Sequence, residues 1–171
     1  MIQIIIGNII ALLASLLMVY TGLLRKKEKF IYIQTFQMLL LAISNLILGG
    51  ITGVITNIFG CIRNILCYKN KLKNTEKIIL VVITSVFSLC FNNLGFIGIL
   101  PLISTVTYTL LIDLKDVVKF KILVILTVIL WFIYDIYIQS YTSAIFDFMT
   151  IITNTIAIYK LHYSKPEAKI S

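Results

Sequence analysis

Long apolar runs separated by short polar breaks dominate the chain. They cover residues 3–24, 30–48, 51–68, 77–91, 96–112, 119–138 and 142–161. Each run is continuous, and most approach the roughly 20 residues a membrane-spanning helix needs. The breaks carry turn residues, namely Gly49-Gly50, Asn92-Asn93 with Gly95, and Gln139-Ser140. Strands of a membrane β-barrel would be shorter and would alternate apolar with polar positions. In lipid a backbone must satisfy its own hydrogen bonds, and a helix does so within one segment. The pattern therefore predicts an all-α integral membrane protein with seven transmembrane helices, despite its many β-branched Ile and Val residues.

Composition strengthens this reading. Of 171 residues, 60% are hydrophobic and only 13% are charged, against about a quarter charged in soluble domains. Lipid must be the solvent for much of the surface, and no length remains for a soluble domain. Met1 to Leu24 contains no Lys or Arg, whereas a signal peptide starts with a basic segment. The first run thus reads as a retained helix.

Charge placement gives an orientation. Basic residues follow run one (Arg25, Lys26, Lys27, Lys29), surround the break after run three (Lys69, Lys71, Lys73, Lys77), fill the break after run five (Lys115, Lys119, Lys121) and mark the tail (Lys160, Lys165, Lys169). The N-terminus and the other three breaks have none. Seven helices put every basic loop on one side, and the positive-inside rule then places the N-terminus outside and the C-terminus in the cytoplasm. The formal net charge of +8 is explained by topology and contact with anionic lipid, with no call for nucleic acid. Cys61, Cys67 and Cys90 lie in apolar runs without a CxxC or a Cys/His cluster, and His162 stands beside Lys160 in the tail. The sequence suggests no metal, no cofactor and no catalytic constellation, so enzyme activity is not expected.

Sliding the chain by 90 residues aligns runs one to three with runs five to seven without a gap. Ser15 meets Thr105, Lys29-Phe30 meets Lys119-Phe120, Asn45 meets Asp135, Asn57 meets Asp147 and Asn64 meets Asn154. Two three-helix units separated by one helix share an orientation, which predicts two parallel repeats joined by a linker helix. Sugar-transporting SWEET proteins are built on such a 3+1+3 plan, and repeat transporters bind near the midplane at the repeat interface. The expected units are residues 1–70, a linker at 71–95, a second repeat at 96–162 and a cytoplasmic tail at 163–171.

The matched polar residues are the candidate site. Gly53, Asn57, Gly60 and Asn64 share one helical face, as do Ser143, Asp147, Thr150 and Asn154. Interhelical hydrogen bonding with close glycine approach would also account for the asparagines. Asp147 is harder to explain structurally, because an intramembrane carboxylate is costly and usually faces a wet interior. Arg63 reads either as snorkelling to the cytoplasmic face or as the partner of an anion or of Asp147. Asp135, after Trp131 and Tyr134, either reaches the outer water or joins the pocket with Asn45, while the two aromatics read as interfacial anchors. Pro101 interrupts the backbone ladder of run five, as a structural kink or as a hinge.

These residues carry a resemblance. The stretch from Leu48 to Asn57 with Ile62-Arg63-Asn64, then Leu100-Pro101-Leu102 with Tyr108-Thr109, then Trp131 to Asp135, resembles the bacterial inner-membrane YgjV-type proteins over almost the whole chain. That family is grouped distantly with SWEET, PQ-loop and nicotinamide-riboside-type transporters. The resemblance implies a bacterial cytoplasmic-membrane location and the SWEET-like seven-helix fold, and it brings no substrate. This sequence departs from the transporters where Ala11 matches Pro101 and no Pro-Gln pair occurs, which argues against a SWEET-like rocking mechanism. The expected function is a permease for a small polar solute. The alternative is a non-transporting receptor, lipid-binding or assembly protein on the same scaffold, with homo-oligomerisation open.

Overall fold

The computed structural model describes residues 1–22 and 27–163, without the side chains at 21, 22, 27, 28, 30, 162 and 163. The readings placed on Arg25, Lys26, the His162 side chain and the tail lie outside the described residues. Seven helices follow in chain order: α1 (Ile2–Gly22), α2 (Lys27–Ile47), α3 (Ile51–Tyr68), α4 (Asn74–Cys90), α5 (Phe96–Leu111), α6 (Val117–Tyr137) and α7 (Tyr141–Tyr163). Five of them, α1, α2, α4, α6 and α7, start one to three residues earlier than the apolar runs suggest, and local capping explains α4 and α6. The Asp116 carboxylate accepts from the backbone N–H groups of Val118 and Lys119, and the Glu76 carboxylate accepts from the Lys73 N–H. Each satisfies donors that a helix N-terminus leaves free. Among the described residues four helices, α1, α3, α6 and α7, are long and apolar enough to cross a membrane, while the apolar parts of α2 and α5 are shorter.

The packing is inverted relative to a soluble protein. Ile5, Ile9, Leu13 and Leu16 of α1, Ile79, Val82 and Val86 of α4 and Ile122, Leu126 and Ile133 of α6 face outward. The buried set instead holds Ser15, Ser44, Asn45, Thr52, Thr56, Asn57, Arg63, Asn64 and Asp135. Water as solvent would reward the opposite arrangement; lipid permits this one.

Helix contacts close into a ring. The sequence neighbours α1 and α2, α2 and α3, α5 and α6, and α6 and α7 pack together, and the two groups meet through α3 against α5 and α7 against α1. Among the described residues α4 packs only on α3 and α5, from outside the ring. The two turns that join α2 to α3 and α6 to α7 have the same geometry. Gly49 and Gln139 both adopt positive φ, at 81° and 62°. Gly50 N–H donates to Asn45 O and Ser140 N–H to Asp135 O, each at 2.8 Å. Positive φ is easy for glycine and strained for other residues, so Gln139 holds this conformation through its surroundings. Asn8 Nδ2 donates to Gln139 O and Asn8 Oδ1 accepts from Thr142 N–H. Asn93 Nδ2 clamps the other turn by donating to Gly49 O.

At the opposite end Lys77 is buried, and its ammonium pairs with the carboxylate of Asp113, which is 72% exposed. The basic cluster around Lys77 was expected only to set topology; this member also fastens α4 to the segment after α5. Water around Asp113 screens the pair, so Asp113→Asn should cost only about 1 kcal/mol, well below the loss for a fully buried pair. Thermal unfolding in detergent checks this.

Candidate functional site

The ring encloses a cavity of about 650 Å³, within the 300–1,000 Å³ typical of small-molecule sites. All six ring helices line it, and α4 does not. From α1 come Ser15 and Met18, and from α2 Gln34, Gln37, Met38, Leu41 and Asn45. From α3 come Thr56, Asn57 and Arg63, and from α5 Ser104, Thr105 and Tyr108. The α6 wall includes Lys121, Val124, Thr127, Trp131 and Asp135, and the α7 wall Ser143, Asp147, Thr150 and Asn154. For every lining residue of α1 and α2, the residue 90 positions further on lines the cavity too: Ser15 with Thr105, Met18 with Tyr108, Gln37 with Thr127, Leu41 with Trp131, Asn45 with Asp135. Asn57 and Asp147 continue the correspondence.

One end of the cavity is acidic. The carboxyls of Asp135 and Asp147 lie close to one another. Asp135 is 5% exposed, so it joins the pocket and does not reach the outer water. Asp147 Oδ2 and Asn57 Nδ2 are buried without a hydrogen-bond partner. Buried polar atoms are nearly always satisfied, so two orphans on opposite walls of one cavity mark a place built for something else.

The packing beneath this end fixes its shape. Tyr134, expected as an interfacial anchor, is fully buried, and its Oη accepts from the Gly53 N–H at 3.0 Å. A Cβ at Gly50 would stand 2.2 Å from Tyr134 Oη, and one at Gly53 would stand 2.7 Å from it and 2.6 Å from Asn45 Nδ2. Glycine at both positions leaves room for the Tyr134 side chain to reach across from α6 to the start of α3. Tyr134→Phe should lower stability by about 1–2 kcal/mol, because it leaves the Gly53 N–H without this acceptor. A matched melting curve for the variant tests that value.

The other end is basic. Arg63 is 3% exposed, which corrects the snorkelling reading. Its Nε and Nη2 donate to Asn64 Oδ1 at 3.4 and 3.2 Å, and its guanidinium stands 4.8 Å from the Tyr108 ring centroid. No ion pair with Asp147 forms among the described residues. The helical rise from Asn57 to Arg63, about 9 Å, separates the two ends. Asn64 Nδ2 donates to Gln34 Oε1, so Asn64 acts behind the wall by holding Arg63. Lys121 Nζ donates to Asn154 Oδ1 at 3.4 Å. Pro101 is fully buried inside α5, which runs unbroken past it.

Of the sequence candidates, Asn45, Asn57, Arg63, Asp135, Asp147 and Asn154 line the cavity and Asn64 supports it. Gln34, Gln37, Tyr108 and Lys121 were not foreseen. A signal existed for the glutamines: Gln34, Gln37, Met38, Leu41 and Asn45 follow helical spacing along one face of α2. Lys121 was masked by its place in a basic cluster that topology already explained.

The match to known proteins agrees with this inverted, membrane-adapted architecture. The Imp-YgjV family model, described as bacterial inner membrane protein, matches residues 5–165. No curated protein matches the chain, and no solved structure matches it. With nearly its whole length covered by that model, the chain belongs to the Imp-YgjV family of bacterial inner membrane proteins.

Proposed function

We propose that this protein is a membrane permease that binds a small polar solute in the central cavity. The observation that carries the reading is a cavity of about 650 Å³ whose largely apolar lining carries polar and charged side chains from all six ring helices, with unpartnered Asn57 and Asp147 atoms on facing walls. A purely structural core would satisfy these atoms or replace them with apolar packing.

On this reading all seven helices cross the bilayer, with α2 and α5 seated within the protein ring. The helices form two parallel three-helix repeats with α4 as linker. The paired turns at Gly49 and Gln139, the contacts of α3 with α5 and of α7 with α1, and the lining pairs 90 residues apart support a pseudo-two-fold axis through the cavity. The uncharged turns face outside and the basic loops face the cytoplasm. Single cysteines at Lys71 and Asn93, in a background lacking Cys61, Cys67 and Cys90, report the orientation. Impermeant maleimide should label position 93 and not position 71 in intact cells, and the reverse pattern would sink the assignment.

The test of binding is a thermal-shift screen in detergent with sugars, nucleosides, vitamins, amino acids and organic anions. A ligand at a hundredfold excess over its Kd stabilises the folded state by about 2.7 kcal/mol. Stabilisation by a solute class supports the permease reading. A folded protein that none of the panel stabilises favours the receptor, lipid-binding or assembly alternative.

A further inference from the structure

We propose that the solute is a small organic anion whose carboxylate or phosphate group is held at the basic end of the cavity by Arg63 and Lys121, over the Tyr108 ring. This rests on the reading of the cavity as a solute site and names the class of solute.

Both cations are built into the wall. Arg63 is buried and stacked on Tyr108; the Tyr108 ring packs on Phe120 at 6.2 Å between centroids, and Phe120 precedes Lys121 in α6. Each cation is oriented by an amide carbonyl, Arg63 by Asn64 and Lys121 by Asn154. An amide steers a cation without neutralising it. Arg63 Nη1 has no hydrogen-bond partner among the described residues.

The carboxylates are engaged elsewhere. Glu76 caps α4, Asp116 caps α6 and Asp113 pairs with Lys77. Asp135 and Asp147 lie close to one another at the far end. Glu28 and Glu167 have side chains outside the described residues. A buried cation without a counter-charge is costly, and an entering anion supplies one. The guanidinium fork matches carboxylate and phosphate oxygens in geometry. The positions 90 residues from Arg63 and Lys121 are Thr153 and Ile31, so the cations stand on one side of the proposed axis and hold the anion in a single orientation. The polar remainder of the solute then reaches toward Asn57 Nδ2 and Asp147 Oδ2. An anionic lipid headgroup has the same acidic chemistry as a free organic anion, and the experiment separates them.

Protein in neutral detergent is titrated with pairs of an anion and its neutral counterpart, succinate against succinamide and adenosine monophosphate against adenosine, and with inorganic phosphate. The same protein in nanodiscs is compared with and without phosphatidylglycerol. We expect at least one free anion to bind at least tenfold more tightly than its neutral counterpart. Lys121→Gln should weaken that binding at least tenfold, and Lys121→Arg should restore it. Arg63→Lys serves as the second variant where Arg63→Gln fails to fold. Neutral probes that bind as well as the anions overturn the anion assignment and leave the permease reading standing. Anion binding unchanged in Lys121→Gln and Arg63→Lys overturns the location. Stabilisation by phosphatidylglycerol alone overturns the free-anion assignment in favour of lipid, and no binding of any anion to folded protein overturns the anion assignment, while the permease reading stands or falls on the broader solute panel.

Discussion

Gly53→Leu should be the most destabilising single substitution near the cavity, lowering stability by roughly 3–4 kcal/mol. Even one added carbon at this position would stand 2.7 Å from Tyr134 Oη and 2.6 Å from Asn45 Nδ2, closer than atoms in contact allow. Overpacking of this kind typically costs about 1–3 kcal/mol. Leucine adds the branch beyond that carbon, and displacing Tyr134 also takes away the acceptor of the Gly53 N–H. Gly53→Ala should cost less, because both opposing atoms are side-chain ends that can withdraw slightly. A graded loss from glycine through alanine to leucine, read by denaturant or thermal unfolding in detergent, is the expected series. Equal stability of all three would mean that the Tyr134 and Asn45 side chains do not pack closely on Gly53.

Asp147→Asn should separate function from stability. Transport should fall at least a hundredfold, because the variant replaces a carboxylate that lines the cavity and has one oxygen buried without a hydrogen-bond partner. Stability should stay level or rise by about 1 kcal/mol, since a neutral amide is cheaper to bury than a carboxyl group that can ionise. The amide also supplies a donor toward Asp135, where two carboxyls offer mainly acceptors. Loss of uptake with unchanged or improved melting is the behaviour of a functional site that trades stability for activity. A variant that melts much lower and transports normally would assign Asp147 to structure.

Much of this architecture could be read from the sequence because lipid imposes simple rules. Continuous apolar runs located all seven helices, and turn residues located their breaks, since a backbone in lipid has few alternatives. The pairing of Asn57 with Asp147 by a shift of 90 residues picked out two walls of what is one cavity. Side-chain direction was less legible. Trp131 and Tyr134 look like membrane anchors in sequence, yet Tyr134 is buried against Gly50 and Gly53 at the start of α3, a contact that depends on the tertiary arrangement of the ring. Arg63 sits where a long side chain could turn either way; the Tyr108 ring and Asn64 hold it inward. The role of Lys121 was hidden because one lysine can set topology and also line a cavity.

The central claim is that solute passes through the cavity enclosed by α1–α3 and α5–α7. Val124 lines that cavity on α6 without a polar group of its own, so Val124→Trp fills the space and leaves every hydrogen bond in place. Wild-type protein and Val124→Trp, matched for folding by melting temperature, are reconstituted in liposomes and tested for uptake of the solutes that stabilise the wild type. The account predicts uptake by the wild type and a near-complete loss in Val124→Trp. Equal uptake by a folded Val124→Trp, or none by the wild type, would contradict it.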